Sequence, residues 1–129
     1  MTARPASARP RARWPRLALL AALAGLLAGC GASTIPAVHS EPERLALGRR
    51  ALHDQQYNVA LELLKSYVAN NSGGADVDLA IEMLGEANLR MKEWAEAQAQ
   101  FERVLRDYPE SDSAATASFH LAEALWGQS

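Results

Sequence analysis

Residues 81–109 read IEMLGEANLRMKEWAEAQAQFERVLRDYP, and this stretch decides the fold. Apolar positions recur every three or four residues on both sides of a break near Met91–Glu93, a spacing that predicts two amphipathic helices joined by a tight turn. Gly85 and Ala97 lack bulk where two antiparallel helices approach most closely, and Leu84 and Phe101 fill the space beside them. Pro109 ends the second helix, because proline cannot donate to the helical ladder and disfavours a helical predecessor. The unit is one helical hairpin.

The spacing of Leu84, Gly85, Ala97, Phe101 and Pro109 resembles the tetratricopeptide signature, a 34-residue helix-turn-helix. Asn88 departs from it, standing where that family usually has an aromatic residue. Such repeats cannot bury their apolar face alone, so a second copy is expected. It occurs at an offset of 37, where Leu47, Gly48, Tyr57, Ala60 and Leu64 fall on Leu84, Gly85, Trp94, Ala97 and Phe101. The same offset forward places Leu121, Ala122 and Leu125 on Leu84, Gly85 and Asn88. The resemblance implies an all-α fold: about two and a half tetratricopeptide-like hairpins in a short right-handed solenoid. Asp76 or Asp78, and Ser111 or Ser113, are suited to cap the helices that follow them.

Residues 1–16 carry Arg4, Arg9, Arg11, Arg13 and Arg16 and no acid, and residues 17–29 are wholly apolar. Thirteen helical residues span roughly 20 Å, short of the ~30 Å hydrocarbon core. The combination reads as a secretory signal peptide, and the absence of an adjacent arginine pair favours the general secretion route. The segment ends in Leu27-Ala28-Gly29-Cys30, with the chain's only cysteine. This is similar to a bacterial lipobox, whose cysteine is acylated and becomes the new N-terminus. The plainer alternative is an ordinary small-residue cleavage site with a free thiol nearby. A single cysteine cannot close an internal disulfide, which suits an anchor. Gly31 follows instead of an aspartate, resembling the outer-membrane sorting pattern of Gram-negative lipoproteins. Residues 31–42 then read as a flexible tether rich in Gly, Ser, Thr, Pro and Ala. The expected division is therefore 1–29 signal peptide, 30–42 acylated cysteine and tether, and 43–129 repeat domain. Roughly 85 residues remain for one small helical domain.

Removing the five arginines leaves eight basic and fifteen acidic residues, a formal −7. That balance argues against nucleic acid and against charge attraction to anionic lipid, leaving acyl chains as the membrane attachment. No residue pattern points to catalysis, a metal or a cofactor. His39, His53 and His120 have no partner at ligand spacing and read as solvated or edge residues. Gly73-Gly74 reads as a turn between hairpins, and Glu82/Glu86 and Glu93/Glu96 as carboxylates on a wet helical face.

What remains is a binding surface. In tetratricopeptide arrays the first helices of successive hairpins line a groove. Carried onto this chain by position, the resemblance implies Leu45, Arg49, Leu52 and His53 from the first copy, Leu79, Glu82, Glu86, Leu89 and Arg90 from the second, and Phe119, Glu123 and Trp126 from the third. Leu89 and Trp126 would be large apolar groups facing that groove. Such a mixture suits an extended peptide with apolar side chains and mixed charge. The other reading is that these residues pack on neighbouring repeats or meet solvent. The ending AEALWGQS leaves Leu121, Leu125 and Trp126 without a covering helix. A longer repeat frame is the expectation there; a capping third helix or a covering partner are the alternatives.

A closer resemblance joins these features. Cys30, the tether, hairpins of this length, Tyr108-Pro109-Glu110-Ser111 and the alanine-rich 114–125 are similar to the BamD-type lipoproteins of the outer-membrane β-barrel assembly machinery. It implies a lipid-anchored scaffold on the periplasmic face of the outer membrane, binding assembly subunits or unfolded barrel clients. The alternative is an envelope coordinator associated with pili or cell division. Pilus and division lipoproteins share the repeat style.

Overall fold

The computed structural model describes residues 37–129. The segment expected to be a signal peptide, Cys30 and most of the expected tether lie outside the described residues. Among the described residues there are five helices and no strand: α1 (Glu41–His53), α2 (Tyr57–Asn70), α3 (Val77–Arg90), α4 (Trp94–Asp107) and α5 (Asp112–Gln128). None is long and apolar enough to cross a membrane.

The first helix starts inside the segment expected to be tether. Ser40 accepts a bond from the Glu43 amide at 3.3 Å, while the Glu43 carboxylate accepts from the His39 amide at 2.8 Å. Pro42 falls in the first turn, where its missing N–H costs nothing. Proline here opens a helix instead of closing a linker.

The 37-residue register expected from sequence is the register of the helices. α4 starts and ends 37 residues after α2, and α3 ends 37 after α1. The turns repeat too. Gln55 and Lys92 both take left-handed backbone, at φ 60° and 62°. The Gln56 amide donates to Ala51 O at 2.8 Å, as the Glu93 amide does to Asn88 O at 2.9 Å. Each first helix thus ends in the same six-residue closure around a left-handed residue.

Each helix packs on the next, and α3 also meets α1 and α5, so the hairpins stack consecutively into a tetratricopeptide-like solenoid. The core runs through the stack on Leu64, Ile81, Val77, Phe101 and Val104, all fully buried. Ala60 and Ala97 are fully buried at equivalent positions. Gly48 faces Leu64, and Gly85 faces Phe101, one repeat apart. Burying these side chains is worth on the order of 2 kcal/mol each, which a lone hairpin cannot collect.

Two expected caps form differently. Asp76 and Ser111 occupy the positions before α3 and α5, yet neither side chain caps its helix. Asp76 takes left-handed backbone at φ 62°. Ser113 Oγ instead donates to Asp78 Oδ2 at 2.9 Å, so these two residues tie the start of α5 to the start of α3. Gly73, at φ 83°, makes the turn between the first two hairpins.

Candidate functional site

Five of the residues expected in the groove, Arg49, Leu52, His53, Glu86 and Arg90, converge on one open cleft between α1 and α3. Arg49, Leu52 and His53 come from α1 and Glu86 and Arg90 from α3; Tyr57 and Met83 complete its walls. The cleft measures about 480 Å³, within the range of ligand sites.

The register explains who stands there. Leu52 and Met83 lie on the edge of the core, so the floor is apolar. Arg90 Nη2 donates to Glu86 Oε1 at 3.3 Å, an i,i+4 pair on the exposed side of α3. Arg49 is exposed and pairs with no carboxylate among the described residues. The wall therefore offers one free cation, one neutralised pair and a tyrosine over an apolar floor. Such a surface can seat an extended peptide through its backbone, an apolar side chain and one acidic group.

Other expected groove residues are elsewhere. Leu45 and Leu89 are 8% and 3% exposed and belong to the core; neither lines this cleft, and Leu45 borders a smaller, separate pocket of about 230 Å³ beside Arg49. The helical positions transferred from a generic array turn inward here, because the neighbouring helix closes over them. Leu79 is half-buried and packs against the core. Phe119, Glu123 and Trp126 lie on α5, away from the cleft; Phe119 and Trp126 are 70% and 83% exposed.

Glu82 corrects the reading most sharply. It was expected on the wet face, yet it is 6% exposed. His120, expected solvated, meets it across the α3–α5 junction, with Nδ1 3.3 Å from Oε1. The imidazole also sits 5.5 Å from the Phe101 ring and 5.6 Å from that of Phe119. Burial pushes the Glu82 carboxyl above the ordinary glutamate range, Glu86 pushes the same way, and His120 opposes both. The two partners are 38 residues apart, and no motif spacing joins them.

Sequence reasoning also passed over Tyr57 and Met83 as cleft residues. Tyr57 was legible only as the first-copy counterpart of Trp94, whose ring lies against Gly127 in the last turn of α5. The Tyr57 counterpart of that glycine is Arg90, a long side chain that borders the cleft where glycine admits an indole.

No curated protein matches the chain. Residues 79–111 match the family described as Tetratricopeptide repeat, a segment spanning most of α3, all of α4 and the turn to α5. That match and the stacked hairpins support a tetratricopeptide-repeat protein, an all-helical scaffold of the kind that binds other proteins.

Proposed function

We propose that the chain is a lipid-anchored scaffold on the periplasmic face of the outer membrane, acting in the assembly of β-barrel proteins in the manner of BamD-type subunits. One observation carries the reading: a basic run, an apolar segment and Leu27-Ala28-Gly29-Cys30 directly precede a tether and in-register hairpins. Acyl chains on Cys30 hold the repeat domain at the membrane. The α1–α3 cleft, with Arg49, Leu52, Glu86 and Arg90, receives an assembly subunit or an unfolded barrel segment. It works by docking, with no catalytic step.

A second reading is an envelope coordinator associated with pili or cell division. The exposure of Phe119, Leu125 and Trp126 along α5 favours it, because that face suits lateral assembly with another protein.

Photo-crosslinking from position 52 in envelope membranes separates the two. Barrel-assembly subunits or unfolded barrels as the major adducts support the first reading; division or pilus proteins in their place support the second. Cys30→Ala is expected to release the protein from the membrane, and its continued membrane attachment would remove the anchor.

A further inference from the structure

A second cleft, on a different side of the stack, carries chemistry that the α1–α3 cleft does not. It lies between α2 and α4, with Leu84 and Asn88 of α3 between them, and measures about 430 Å³. Lys65 stands on one wall and Gln100 and Arg103 on the other, with Val68 in the apolar part. No carboxylate lines it. On a chain whose described part carries fifteen acids against eight lysines and arginines, this is a local reversal of charge.

Its amides are unpartnered. Asn88 is 5% exposed, borders the cleft, and its side chain makes no hydrogen bond among the described residues. Gln100 Oε1 is buried with no donor. A buried polar group left unpaired costs about 1–3 kcal/mol, so the Gln100 oxygen is expensive beside this opening unless something enters to satisfy it. An amide side chain offers both a donor and an acceptor, the pairing that an extended peptide backbone presents in return. The cations are only loosely engaged. Lys65 has no ion pair among the described residues, and Arg103 reaches Asp107 at 3.8 Å.

We propose that this α2–α4 cleft binds a short acidic peptide segment, its carboxylate between Lys65 and Arg103 and its backbone against the amides of Asn88 and Gln100. The carboxylate completes charge-assisted bonds that Asp107 makes poorly. The backbone supplies the N–H that Gln100 Oε1 lacks once that amide turns into the cleft. This site is separate from the α1–α3 cleft, so the chain can hold two segments at once and gain effective concentration from doing so.

The test is fluorescence anisotropy of the full-length protein in detergent with a labelled, end-blocked Ala-Glu-Ala-Glu-Ala peptide. Binding is expected, with a loss of at least tenfold for Lys65→Glu and for Asn88→Leu, and a comparable loss when glutamine replaces glutamate in the peptide. Helical circular dichroism of each variant confirms that the fold persists. Should Asn88→Leu alter the fold, the question passes to Gln100→Met and to the Asn88 and Gln100 side-chain amide signals, which must shift on peptide addition. Lys92→Glu, in a turn outside the cleft, is expected to bind normally. The proposal fails if no binding is detected at millimolar peptide, if Lys92→Glu loses as much as Lys65→Glu, or if the glutamine peptide binds equally. Displacement by free glutarate at the peptide's own concentration would assign the site to small anions and overturn the peptide.

Discussion

Phe101 lays its ring on the backbone of Gly85: a β-carbon there would stand 2.5 Å from Cε1. No real contact is so short, so α3 and α4 hold their separation only because position 85 has no side chain. One repeat earlier Gly48 meets Leu64, with the β-carbon at 2.8 Å from Cδ2. The same contact recurs in register, and it defines the hairpin.

Gly85→Ala is therefore expected to destabilise the fold by about 1–3 kcal/mol through overpacking. Gly48→Ala should cost less, since a leucine can change rotamer where a fully buried ring cannot. Urea unfolding of both variants checks the order. In a Phe101→Leu background the Gly85→Ala penalty should shrink; an unchanged penalty would place the strain elsewhere.

The Glu82 carboxyl gives the stability a pH signature. Its folded value lies above the ordinary glutamate value of 4.5, chiefly through burial. The unfolded chain loses this proton first, so the contribution is fully present below the ordinary value and is lost as pH rises through the raised one. Glu82→Gln removes that loss, so its stability relative to the parent should rise with pH across this window. Thermal unfolding at a series of pH values measures it, and a relative stability that falls instead would contradict the assignment.

Lys92 and Gln55 hold left-handed backbone that glycine adopts without a steric penalty. Lys92→Gly is expected to raise stability by about 0.5 kcal/mol, and Gln55→Gly to match it. A loss in either variant would mean that its side chain contributes more than its backbone costs.

Ser113→Ala should cost about 1 kcal/mol, because it leaves Asp78 without its donor across the α3–α5 junction. Hydrogen exchange should locate the loss in α5. Protection that falls evenly across all five helices would argue against a local tie.

Much of this was legible because helical periodicity and small-residue spacing are local. Gly85, Ala97 and Phe101 announce a hairpin from their own separations, and the offset of 37 announces its repetition. Pro42 was misread for a related reason, since proline both ends linkers and opens helices, and only Ser40 with Glu43 decides between them.

The residues themselves determined the repeat, its length, its turns and its closest helix contacts, since each depends on side chains within about one helical hairpin. Tertiary structure decided which face each residue shows. Leu45 and Leu89 went into the core, Glu82 found His120, and Ser113 found Asp78, all across helices distant in sequence. It also left the Gln100 oxygen buried without a donor beside a cleft that Asn88 borders. Stacking geometry sets the rotation of one hairpin on the next, and a helix's own period carries no record of that angle.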